Sequence, residues 1–260
     1  SLLAALGTGN PNGLGAIPGL RLTAPAHHVS GELGRLWSLV TQFPDWGPSP
    51  ARHALDSRRS RSKLRVASIL DTAYGRHLDP VVYTQGVPIS GRLRLAQLGP
   101  TGPGVALEIA SMLDESRLGA GDPFGDQPRP SNLAGVLWGA ELAEATGDRR
   151  WSELVVNVAG RYQPGDPGTA PPPSDPDFRT EDMFMNGAIL GRAFNITGDE
   201  GYLELLTRFL GDGGIQQEDG LFWHCRTVPF FWGRGNGFAA MGLAETLTHL
   251  PEEHHSRAAV

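Results

Sequence analysis

The residues that could do chemistry gather in a few short runs. Arg179-Thr180-Glu181-Asp182-Met183-Phe184-Met185 places an arginine, two carboxylates and large apolar side chains side by side. Phe231-Trp232-Gly233-Arg234-Gly235-Asn236-Gly237-Phe238 interleaves aromatics, an arginine and an amide with glycines. Tyr83-Thr84-Gln85-Gly86 and Ser131-Asn132 add a phenol, hydroxyls and amides. Such a set can hold a sugar: aromatic faces stack on the ring, an arginine forks a carboxylate, and an aspartate moves protons. Successive residues on a helix point about 100° apart, so only one of Glu181 and Asp182 can face a site squarely. The residues alone do not say which. The plainer reading is structural. Acidic residues suit a helix's first turn for dipole reasons, and Thr180 could be an N-cap.

A repeat would position these runs. Ala145-Thr146-Gly147-Asp148 and Ile196-Thr197-Gly198-Asp199 each end one helical pattern and precede another. Trp151, Leu154, Val155 and Val158 follow the first, and Tyr202, Leu205, Leu206 and Phe209 the second. The two turns lie about 50 residues apart, and similar turns are expected at 99–104 and after Leu250-Pro251. No strand-like alternation recurs between them. Paired helices at this period mean stacked helical hairpins, either an open solenoid or a ring closed as an all-α (α/α) toroid. The Gly/Pro/Asp-rich loops 119–130 and 163–179 precede the first helices of their repeats, on what would be the mouth of a toroid's cavity. Helix N-termini aimed at that cavity favour an anion. Asp182 and Ser131 hold equivalent places, each 15 residues before a turn threonine. Amphipathic spacing predicts further helices over 32–42 (Leu33, Leu36, Trp37, Val40) and 63–74, with the polar, Arg-rich stretch 57–62 before the second.

Other residues carry weaker signals. His224 follows Leu221-Phe222-Trp223 and reads as a packed histidine. His27-His28 and His254-His255 lack partners at metal-ligand spacing. Cys225 has no visible base partner and reads as inert. Trp138 and Trp151 read as core. Asp175 and Asp177 read as turn residues that could reach the cavity as a second carboxylate. No strand precedes Gly233, Gly235 and Gly237, so they are no phosphate loop; they read as permitting close approach of inner helices.

Composition bounds the classes. The chain has 260 residues, 40% hydrophobic and 19% charged, enough for a real core. Its net charge of -6 argues against a nucleic-acid binder. Lys63 is the only lysine. One cysteine excludes an internal disulfide framework and fits cytoplasm and periplasm equally. No apolar stretch reaches the roughly 18 residues of a membrane span. A start at Ser1 rather than Met points to a processed or trimmed chain.

The runs Glu181-Asp182-Met183-Phe184-Met185, Leu221-Phe222-Trp223-His224, Phe231-Trp232-Gly233-Arg234-Gly235-Asn236-Gly237-Phe238 and Leu243-Ala244-Glu245-Thr246-Leu247 resemble the unsaturated glucuronyl and rhamnogalacturonyl hydrolases, glycoside hydrolase families 88 and 105. The resemblance covers about 80–260. It implies an (α/α)6 barrel as one domain over 1–260, with 1–60 poorly placed. It implies an oligosaccharide substrate ending in a Δ4,5-unsaturated uronic acid, and no metal or organic cofactor. Asp182 matches the family's acid/base. His224 matches its substrate-site histidine, and Trp232 and Arg234 match residues that hold the unsaturated sugar. Phe238 stands where the family usually has Trp. Many members carry another Asp on the preceding inner helix, where this chain has Ser131 with Asn132 beside it. Six hairpins need roughly 300 residues, whereas four repeats are clear and a fifth would lie at the N-terminus. The chain is therefore expected to be a fragment or an incomplete ring. Two other readings compete: a sugar-binding protein on the same scaffold, and a purely structural helical repeat. Convergence of Asp182, His224 and Arg234 on one cavity would exclude the last.

Overall fold

A computed structural model describes residues 50–97, 102–116, 118 and 123–260. The helix expected over 32–42 and the pair His27-His28 lie outside the described residues. The chain forms two units, Ser1–Val66 and Ala67–Val260. In the first, α1 (Pro50–Arg59) is polar and buries none of its residues. The stretch 57–62 divides: its first three residues end α1 and the rest form the turn. Then α2 (Lys63–Ala73) runs where periodicity places a helix.

Helical hairpins build the second unit. α3 (Tyr83–Gln97) pairs with α4 (Gly102–Asp114). A short α5 (Pro130–Leu133), a 3-10 turn (Ala134–Val136) and α6 (Gly139–Thr146) make one broken inner helix, paired with α7 (Arg150–Ala159). α8 (Thr180–Thr197) pairs with α9 (Glu200–Asp212), and α10 (Gly233–His249) packs along α8. Among the described residues every regular element is helical; strand-like pairing is confined to two isolated bridges, Gln216 with Phe222 and Trp223 with Phe231. Burial separates the two layers. Thr180 and every residue from Asp182 to Ala193 are buried, so α8 is surrounded. α7 buries one stripe (Trp151, Val155, Val158, Ala159), and α9 another (Leu203, Leu206, Phe209). Inner and outer helices alternate along the chain, the layout of an all-α (α/α) toroid.

The two Thr-Gly-Asp turns repeat atom for atom. Thr146 and Thr197 each bond a carbonyl one turn back and accept the N–H of the following Asp. Gly147 and Gly198 end their helices at φ 74° and 73°, the left-handed conformation that favours glycine. Asp199 then caps α9 by accepting the Gly201 N–H at 2.9 Å. Of the turn expected at 99–104, residues 99–101 lie outside the described residues, and the chain is helical from Gly102.

The second inner helix is broken where the repeat predicts continuity. The Trp138 indole donates to the Gly135 carbonyl at 2.8 Å, and a Cβ on Gly135 would lie 2.8 Å from the Val82 nitrogen. The backbone here is pressed against the start of α3, and a side chain takes a carbonyl of the helical ladder. Trp138 and Trp151 are core, edge to face with ring centroids 5.6 Å apart.

Candidate functional site

Asp182 is the third residue of α8, in its first turn, and opens on a cavity of about 460 Å³. α8 also contributes Glu181 and Met185. The loop before it gives Asp175 and Arg179; α5 gives Ser131, with Arg129 just before; α3 gives Tyr83 and α10 gives Arg234. The ends of both long loops thus meet at the N-termini of inner helices, as the repeat implies.

Asp182 is only 7% exposed. Burial raises its pKa to about 7; the nearby charges of Asp175 and Glu181 push the same way, against the Asp175 N–H and Arg179. The Asp175 N–H reaches Asp182 Oδ2 at 2.8 Å, and Asp175 itself pairs with Arg179 at 2.8 Å. The loop is fastened on both sides. Asn186, one turn after Asp182, donates to Ser174 Oγ at 2.9 Å. Phe178 takes φ 56° and stacks on Phe209, with the Arg226 guanidinium 4.0 Å from its ring centre. Asp177 points away from the cavity and binds Thr227, so of the two loop aspartates only Asp175 lines it.

Glu181 corrects an expectation: it and Asp182 both line the cavity. The mouth is wide enough to span their angular separation, and Glu181 takes the side toward α10. There it lies 3.5 Å from Arg234 Nη2 and 3.6 Å from His224 Nδ1. Arg234 stacks on Trp232 at 4.2 Å. His224 packs between Phe230 and Trp232, as a histidine among aromatics should, and meets the site through Glu181. Phe238 is buried, its ring edge-on to Tyr83 at 5.6 Å. Ser131 lines the cavity, whereas Asn132 turns its amide to the Val81 carbonyl at 3.2 Å. Asp182 and Arg234 therefore share one cavity, with His224 one side chain behind it.

Asn236 has a clear local task. Its side chain accepts from the Phe222 N–H and donates to the Phe222 carbonyl, both at 2.9 Å, holding the loop before α10 in place. The glycines around it divide. A Cβ on Gly235 would lie 2.8 Å from Thr180 Oγ1, but Gly233 and Gly237 face open space, so only Gly235 serves helix approach.

Arg129 and Asn186 escaped the sequence reading. Arg129 stands two residues before Ser131, much as Arg179 stands three before Asp182, so repeat phase could have found it. Cys225 is buried; burial and the adjacent Asp177 raise its thiol pKa, which keeps it protonated. His254 and His255 stack on each other at 4.4 Å. Among the described residues no group of three His, Cys, Asp or Glu could hold a metal ion, and no helix is long and apolar enough to cross a membrane.

The model of Glycosyl Hydrolase Family 88 matches residues 177–260. This stretch, about a third of the chain, is similar to that family. The matched segment carries Asp182, Glu181, His224, Trp232 and Arg234, while Tyr83, Arg129, Ser131 and Asp175 come from outside it. No curated protein matches the chain.

Proposed function

We propose that the protein removes a Δ4,5-unsaturated uronic acid from the end of an oligosaccharide by hydrating the C4=C5 double bond. The observation that carries this is one carboxyl group, Asp182, buried at the wall of a cavity that Arg234 also lines, with a pKa near neutrality. In this reading Asp182 is protonated when substrate binds. It donates its proton to C4, and positive charge develops at C5, stabilised by the ring oxygen. Water adds at C5, and the Asp182 carboxylate takes the water's proton. The resulting hemiketal opens and releases the next sugar. Only one carboxyl group must change its protonation state, unlike the two-carboxylate glycosidases that flank the glycosidic bond.

The remaining residues bind. Arg234 and Arg129 face the sugar carboxylate, Trp232 offers a stacking face, and Ser131 offers a hydroxyl. Glu181 holds Arg234 and His224 in place. Phe238 supports Tyr83 from below. The second reading, a sugar-binding protein of weak activity, draws on Ser131, which cannot supply the charge of a second aspartate. Asp175 and Glu181 place other carboxylates at the cavity and weigh against it.

Ultraviolet absorbance over time, with a panel of Δ4,5-unsaturated disaccharides, tests the proposal. Hydration destroys the conjugated alkene, so absorbance decays. Decay is expected with the native chain and a loss of about 10²–10⁴-fold with Asp182→Asn. Binding without decay for every disaccharide would select the binding-protein reading.

A further inference from the structure

Two buried polar groups lie around Asp182 without partners. Tyr162 is 4% exposed, a member of the same apolar core cluster as Met185 and Ala188, and its hydroxyl makes no hydrogen bond. Asn186 is 1% exposed; its Nδ2 is committed to Ser174, and its Oδ1 accepts nothing. Leaving such a group unsatisfied is costly, so a pair of them calls for a physical reason. They are complementary, since the phenol is a donor and Oδ1 an acceptor. Tyr162 is close enough to Asp182 for the carboxylate charge to act on its phenol. Asn186 follows Asp182 by one helical turn, which puts the two side chains on one face. Neither Tyr162 nor Asn186 lines the cavity, so both approach from the protein side.

We propose that Tyr162 is a positioning residue for Asp182: with Asn186 it binds one buried water that donates a hydrogen bond to the Asp182 carboxyl group from the side opposite the substrate. The water accepts from the Tyr162 hydroxyl and donates to Asn186 Oδ1 and to Asp182, which satisfies three groups at once. Such a donor favours the carboxylate, the form left after the proton has gone to substrate. It thereby lets a deeply buried acid give up its proton near neutral pH. Burial, with the Asp182 charge adding to it, holds the Tyr162 phenol well above its ordinary pKa, so it stays a donor throughout. The charged and titratable groups facing Asp182 are Glu181 on its own helix, Asp175 and Arg179 on the loop, Arg129 before α5, Arg234 and His224 beside α10, and Tyr162.

This inference rests on Asp182 being the acid, but its test does not need turnover. The Asp182 carboxyl carbon is titrated by NMR in the ligand-free chain, native and Tyr162→Phe. The titration midpoint is expected to move to higher pH by about half a pH unit or more in the variant, because a donor to the carboxylate is lost. An unchanged midpoint, together with unchanged or increased stability, overturns the proposal, since removing an idle hydroxyl from an apolar core is neutral or favourable. A high-resolution crystal structure is the second measurement. An ordered water bonded to Tyr162 and Asn186 supports the relay, whereas a direct bond between them or a dry site overturns it. A moved midpoint without alkene hydration would sink the proposed function and leave the relay standing; hydration with an unmoved midpoint would do the reverse.

Discussion

At the scale of single residues, burial sets the state of Asp182 more than any neighbouring charge does. An acid whose folded pKa is raised binds a proton that the unfolded chain has already lost. Its contribution to stability therefore falls as pH rises from about 4 to about 7, by an amount on the order of a few kcal/mol. Asp182→Asn removes that penalty. The variant is expected to lose activity yet be more stable than the native chain at pH 8, with little difference at pH 4; urea unfolding at the two values checks this. For the proposed reaction, kcat/KM for alkene hydration by the native chain is expected to hold below the pKa of about 7 and fall above it, because the acid must enter protonated. Arg234 acts differently. It is largely exposed, and its guanidinium is fixed by stacking on Trp232 and by Glu181. Arg234→Ala should raise KM by about tenfold or more with a smaller effect on kcat, and Arg234→Lys should not restore it, since an ammonium neither forks a carboxylate nor stacks. A kcat and KM measurement on an unsaturated disaccharide separates the two cases.

Between elements, the tightest fit is that of α8 against α10. A Cβ on Gly242 would lie 2.5 Å from the Met183 carbonyl carbon, which is backbone and cannot rotate away. Gly187 faces the same crossing, with its Cβ position 3.3 Å from the Gly242 oxygen. The two helices meet through their backbones, and this contact holds Asp182 and Arg234 across one mouth. Gly242→Ala is expected to cost about 1–3 kcal/mol by overpacking and to lower activity as α10 shifts. Gly237→Ala, on the same helix but facing open space, should instead gain about 0.5–1 kcal/mol from helix propensity. Thermal melts of the pair read both signs in one experiment. Glycine spacing alone points to Gly233, Gly235 and Gly237; only Gly235 of these is close to a neighbour, because the crossing continues toward Gly242 rather than toward the helix start.

Over the whole second unit, the inner helices are joined at two ends by different means. At one end is the cavity. Ten residues further along α8, about 15 Å at the usual rise, Arg192 is buried and binds Glu141 of α6 and Glu245 of α10. Arg94 of α3 reaches the same Glu141 at 2.9 Å. Three inner segments thus meet at one buried guanidinium, and α3 joins them through Glu141. Burial would raise the Glu245 pKa, but His249 and Arg192 hold it at about 2; Arg192 likewise overcomes burial to lower the pKa of Glu141. Acids with depressed folded pKa values stabilise above their unfolded pKa of about 4.3 and lose that contribution as pH falls toward 2. Arg192→Met removes the buried cation that the half-buried Glu141 and Glu245 share, leaving them only Arg94 and His249. It is expected to destabilise by about 3–5 kcal/mol at pH 7 and by much less at pH 3, once those carboxylates take up protons. Denaturant unfolding at both pH values checks the size and the direction.

By itself the sequence determined what is local. The 3.6-residue stripe of α7, the paired Thr-Gly-Asp turns and the place of Asp182 in a helix's first turn depend on neighbours within a few positions, and all are legible without coordinates. It also determined the core tryptophans and the alternation of inner and outer helices, because a period near 50 residues repeats one packing solution. The tertiary structure decided what depends on segments far apart in the chain. It buried Asp182, turned Glu181 as well as Asp182 into the cavity, drew the Asn132 amide away to Val81 and placed His224 behind Glu181. It broke the second inner helix at Gly135 and brought Gly242 against Met183. These outcomes follow from excluded volume and desolvation between elements, which no residue's type or spacing encodes alone.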